Sequence, residues 1–229
     1  ALKAENSNPC YWLRGIVPNS MRAKVKQVTI FDAQVWQTPA FDKVLLNSKL
    51  GYSDGTRGGS TIPMSIRPAA WGAATFEYQL INGHPTFTNL QAIGGEVPGE
   101  QTVPRAEAWA ATVLTTRVHA NAVARLGIDA SYVTDGVSKR TRLEKGKNGD
   151  IWSLFFALLD YRTAELGIAK VSSHIESEGV LAIENDLAHL CDIIGNALAD
   201  EAAELAAKAL APPAQQSTAA EDASKEAFQ

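Results

Sequence analysis

From Val44 onward, apolar and polar positions fall into blocks punctuated by glycine and proline, and the period of the blocks lengthens once. The run from Val44 to Asp54 reads as a strand, the segment Arg57 to Pro68 as a loop, and Trp71 to Tyr78 as a second strand. Asn82-Gly83-His84-Pro85 supplies a turn, and Phe87 to Val97 reads as a third strand, giving an antiparallel meander. Apolar positions then recur at three- and four-residue intervals, at Val113, Leu114, Val118, Ala122 and Leu126, behind Pro104 at a helix start. The expectation is one long helix ended by Gly127, then a fourth strand from Ile128 to Asp135. A crossover of this kind favours parallel pairing.

The later chain repeats the helix-then-strand order. Asp150 opens a helix whose apolar positions are Trp152, Phe155, Phe156 and Leu159, Gly167 closes it, and Ile168 to Val171 reads as a fifth strand. Leu187, Leu190, Cys191 and Ile194 mark a helix stopped by Gly195, and Asn196 is placed to cap another that runs to Pro212-Pro213. The fold class expected is α/β, a mixed five-stranded sheet of three antiparallel strands followed by parallel strands, with flanking helices. It occupies residues 44–210. Residues 1–43 carry Tyr11, Trp12, Phe31, Trp36 and Phe41, too aromatic for a disordered tail, and read as an extension that packs against something. Residues 211–229, rich in Ala, Gln and Ser, read as disordered.

Composition narrows the class. In 229 residues, 45% hydrophobic and 20% charged, no apolar run approaches the roughly 20 residues that span a bilayer, so no membrane partner is expected. Ala1 to Asn6 is polar and has no apolar signal core. Cys10 and Cys191 suggest neither a disulfide framework nor a metal knuckle. The expectation is an intracellular protein, cytoplasmic or nuclear. Ala rather than Met at position 1 fits a processed product or a piece of a longer polypeptide.

Charge then points to chemistry. Asp54 ends the first strand on the face of Leu50 and Tyr52, so its carboxylate falls at the rim of the core. Glu107 lies in the apolar run Pro104 to Ala111, Asp135 ends the fourth predicted strand, and Asp200 follows Gly195 to Ala199. Singly, each has an ordinary role, in a turn, at a helix start or on a solvated helix face. Together they suggest one metal site. The net charge of −4 hides a local basic cluster, Lys139, Arg140, Arg142, Lys145 and Lys147, beside Asp135. It reads equally as a solvated loop and as a phosphate-binding patch. His84, His119 and His189 read as surface or satisfied histidines, and Trp71, Trp109 and Trp152 as core.

Five short motifs in order resemble the type 1 ribonuclease H family: Tyr52-Ser53-Asp54-Gly55-Thr56, Arg105-Ala106-Glu107, Tyr132-Val133-Thr134-Asp135, Asn148-Gly149-Asp150-Ile151-Trp152 and Gly195-Asn196-Ala197-Leu198-Ala199-Asp200. The resemblance implies an endonuclease that hydrolyses the RNA strand of an RNA/DNA hybrid with two metal ions, Mg2+ or alternatively Mn2+. Asp54, Glu107, Asp135 and Asp200 would be the ligands, with Asp54 bridging both ions. His174 fits the place of the family's mobile histidine. Gly55, Thr56 and Arg105 would lie along the hybrid, with the cluster from Lys139 to Lys147 holding phosphates as a reduced substitute for a longer basic handle. A retroelement origin would place a reverse transcriptase domain in the parent polypeptide. The rivals are an inactive tether or nucleic-acid-binding domain of the same fold, and a DNA-acting nuclease or transposase.

Overall fold

A computed structural model describes residues 34–37, 50–82, 84–172 and 187–227. Its centre is a mixed sheet built from β1 (Gln34–Gln37), β2 (Leu50–Arg57), β3 (Ala69–Ile81), β4 (His84–Glu96), β5 (Ala124–Ile128) and β6 (Leu166–Lys170), in the order β1-β4-β3-β2-β5-β6. The β2, β3 and β4 strands form the expected antiparallel meander, and β5 and β6 add in parallel. The five-stranded mixed sheet is therefore present. A sixth, short strand extends it: β1, from the segment read as an extension, pairs antiparallel with β4 through Trp36 and Gly94.

Helices cover both faces. On one, α1 (Val103–Arg117) and α4 (Gly149–Tyr161) bury Trp109, Leu114, Ile151, Trp152, Phe155 and Phe156 against Trp71, Ile93 and Leu126. On the other, α5 (Leu187–Ala209) lays a stripe of alanines on β2, β3 and β4. That approach is very close, since a Cβ at Gly72 would lie 2.1 Å from Ala199 O. Each large apolar side chain removed from water here contributes about 1.5–3 kcal/mol.

Four expectations need correction. The first helix stops at Arg117, not Gly127, because Leu126 and Ile128 belong to β5, buried at a period of two. Their helical spacing with Val118 and Ala122 is a coincidence of two short periods. Secondly, residues 131–135 are not strand: Ser131–Thr134 form a single helical turn, α2, followed by a 3-10 turn (Asp135–Lys139) and α3 (Arg140–Glu144). Thirdly, Gly195 does not stop a helix. It sits inside α5 with the Tyr52 ring where a Cβ would be, so the residue is small for packing and not for termination. Lastly, Ala214–Ala227 form α6, with Ala223 buried, where composition predicted disorder. No described helix is long and apolar enough to cross a membrane.

Candidate metal centre

The site begins with the register of β2. Tyr52 is fully buried on the α5 face, and strand alternation aims Asp54 the same way, at the rim of that core. On its other side β2 runs parallel to β5, with Ser53 opposite Ile128 as the last pair. One step further the ladder sets Asp129 beside Asp54, where β5 has ended. Glu107 arrives from the opposite face. Gly55 follows Asp54, and a Cβ there would lie 2.4 Å from Glu107 N, so only glycine lets the first turns of α1 come close enough for the glutamate to reach over the strand.

Asp54, Glu107 and Asp129 thus each offer an oxygen within 4.8 Å of the others. Asp54 and Glu107 are 8% and 9% exposed. Burial, followed by the negative charge of Asp129, raises the Asp54 carboxyl to about 7, against the pull of the Gly55 N–H that donates to its Oδ1 at 2.6 Å. Asp200, exposed on α5, adds to the rise. Glu107 is pushed higher, to about 10, by burial and then by Asp54 and Asp129. Among the described residues neither Asp54 nor Glu107 meets a cationic side chain, and Glu107 Oε2 is buried without a hydrogen-bond partner. Converging carboxylate oxygens with an unsatisfied member match what a hard divalent cation takes. The residues present fit such an ion.

The structure therefore brings together Asp54 and Glu107, keeps Asp200 within electrostatic reach of Asp54, and leaves Asp135 out. Asp135 is exposed on the 3-10 turn, 4.0 Å from Lys139. Asp129 takes its place, and a signal for it was present: like Asp54, it directly follows a short alternating apolar run. His174 lies outside the described residues, as does the His189 side chain. His84 and His119 are exposed, and Trp71, Trp109 and Trp152 are core.

The expected nucleic-acid contacts divide as well. Arg105 is buried and donates to both carboxylate oxygens of Asp150 and to Pro98 O, which ties the start of α1 to the start of α4. Its fork is used up, so it is not open to phosphate. Gly55 is buried beneath α1, and Thr56 is half-buried on β2. In the basic cluster Arg140 is held by Asp160 and Glu144 over the Phe156 ring, Lys139 faces Asp135, and Lys147 faces Glu100. Arg142 and Lys145 are exposed and make no ion pair among the described residues.

No family model and no curated protein matches the sequence. Solved structures do. The chain is similar to the RNase H domain of PFV at 18% identity and a TM-score of 0.48, over 76% of this chain and 96% of that one. It is similar to a selenomethionine-labelled CSH mutant of the Prototype Foamy Virus protease-reverse transcriptase, at 15% identity and 0.47, over 72% of this chain and 22% of that one. The foamy viral protease-reverse transcriptase in complex with RNA/DNA hybrid matches at 14% and 0.44, over 82% and 22%. An antiparallel meander whose first strand is also the parallel neighbour of the fourth, with helices on both faces, gives this chain a ribonuclease H-like fold.

Proposed function

We propose that the protein is an endonuclease that cuts the RNA strand of RNA/DNA hybrids and works with divalent cations, Mg2+ in the first place and Mn2+ as a substitute. The observation that carries this reading is the convergence of Asp54, Glu107 and Asp129 at the end of the central parallel pair, two of them buried with no cationic side chain beside them among the described residues. The ordered motifs around Asp54, Glu107, Asp150 and Asp200 support the choice of chemistry.

In this reading Asp54, Glu107 and Asp129 hold the ions and Asp200 completes the set from α5. When bound, two divalent ions supply an activated water and neutralise charge at the leaving oxygen. The chain's own part is positioning. The Gly55 N–H orients the Asp54 carboxylate, α1 places Glu107, and the β2–β5 register places Asp129. Arg142 and Lys145 are the members of the basic cluster left to meet backbone phosphates. Selection of a hybrid over other duplexes requires sensing shape and 2′-OH groups, a role this reading gives to Thr56, two residues past Asp54 on β2, and the loop after it. A reverse transcriptase domain in the same parent polypeptide is the partner proposed.

The test is cleavage of end-labelled RNA/DNA hybrid beside double-stranded DNA and double-stranded RNA, each with Mg2+ and with chelator. The expected result is cutting of the hybrid's RNA strand alone, abolished by chelator. Cutting of double-stranded DNA would favour the DNA-acting rival, and absence of cutting with retained hybrid binding would favour the tether.

A further inference from the structure

Two arginines near the candidate metal centre meet no carboxylate among the described residues. Arg57 ends β2, three residues past Asp54, and Arg67 stands across the neck of the same loop, which is closed by the Gly58 N–H donating to Pro68 O at 2.8 Å. Arg57 Nη2 donates to Met64 O at 2.7 Å. Arg67 Nε and Nη2 donate to Ile62 O at 2.9 and 2.7 Å, and Nη2 also reaches Ser60 O at 3.0 Å. Both guanidinium groups are thereby held by carbonyls of the loop between β2 and β3.

Carbonyls satisfy N–H groups but do not cancel charge. Arg105, Arg125 and Arg140 each meet a carboxylate, whereas among the described residues Arg57 and Arg67 meet none. Both are half-buried, and Arg57 Nε is buried with no partner. Burial and then the charge of Arg67 make Arg57 a more reluctant cation than usual. Each guanidinium keeps an Nη1 that no carbonyl among the described residues takes up, a donor suited to phosphate oxygens, and an anion between the two would relieve the repulsion that acts on Arg57.

The position suits one ligand. At about 3.3 Å per strand residue, Arg57 lies about 10 Å along β2 from Asp54. Phosphates along one nucleic-acid strand are spaced about 3.4 Å along the axis, so a strand that ran along β2 from the acids would bring a phosphate, about three nucleotides on, to the arginines. We propose that Arg57 and Arg67 together form a phosphate-binding site that holds the substrate backbone a few nucleotides from the carboxylates. The identity of the substrate rests on the nuclease reading above; the anion site itself does not.

Binding is measured in an Asp54→Asn background, so that hybrid is not consumed. Arg57→Gln keeps a donor for Met64 O, and Arg67, which holds the loop through three bonds, is left in place. The expected result is a Kd for hybrid about tenfold weaker and a log–log salt slope lower by about 1, with Arg57→Lys recovering most of the slope. An unchanged slope in a variant of unchanged thermal stability overturns the site. If the Asp54→Asn protein binds no hybrid, the nuclease reading is what fails. The site is then decided by titrating the otherwise wild-type protein with inorganic phosphate while following the Arg57 and Arg67 Nη–H signals by NMR. A saturable shift of both supports it, and no shift overturns it.

Discussion

At the scale of single residues, the carboxylates set the behaviour of the metal-free protein. Asp54 has its folded-state carboxyl raised from 3.8 to about 7, and Glu107 from 4.5 to about 10, in each case first by burial. The folded chain then holds protons that the unfolded chain releases, so the stability is fully present below about pH 4 and is lost as pH rises through these windows. Chelated protein should therefore lose Tm between pH 4 and pH 7 and continue losing it above, which a pH series of thermal melts reads directly. Asp54→Asn should raise the Tm of the chelated protein at pH 7 by roughly 2–4 °C for each kcal/mol of repulsion relieved, and should abolish the further rise expected of the wild type on adding Mg2+. The exchange of Asp135 for Asp129 has a sharper test. Asp129→Asn should reduce hybrid cleavage about a hundredfold or more, while Asp135→Asn should stay within about twofold. Near-equal activities of the two variants would return Asp135 to the site.

Between elements, the contact of α1 with β2 carries the geometry. Gly55→Ala would put a methyl group into the backbone of Glu107, which cannot swing aside, so overpacking of about 1–3 kcal/mol is expected. Mg2+ affinity should fall with it, since Glu107 is pushed off Asp54; denaturant melts and calorimetric Mg2+ titration check the two parts. Arg105 gives the complementary case. Its pairing with Asp150 joins α1 to α4, and because Asp150 is 63% exposed the charge attraction is screened. Arg105→Ala should lower the denaturation midpoint yet leave the salt slope of hybrid binding unchanged. A reduced slope would restore Arg105 to the phosphate contacts.

For the molecule as a whole, β1 covers the open edge of β4. Removing residues 1–37 would expose that ladder, and uncovered edges invite pairing between chains. The truncated protein should self-associate in a concentration-dependent way on sedimentation, and should melt lower than the full chain. What the sequence alone determined is largely local. Alternation located β2, β3 and β4, Pro104 marked the start of α1, and the acids Asp54 and Glu107 stood out because a charge inside an apolar block needs a partner. Tertiary structure decided the rest. Asp129 and not Asp135 joins the site because the parallel pairing of β2 with β5 ends at Ser53 and Ile128 and leaves the residues that follow, Asp54 and Asp129, side by side, and register between distant strands leaves no mark in either strand's own pattern. Arg105 is spent on Asp150, 45 positions away, and Gly195 lies beneath Tyr52 inside a helix that its residue type alone would have ended. Periodicity records which face a residue presents, but only packing determines what that face meets.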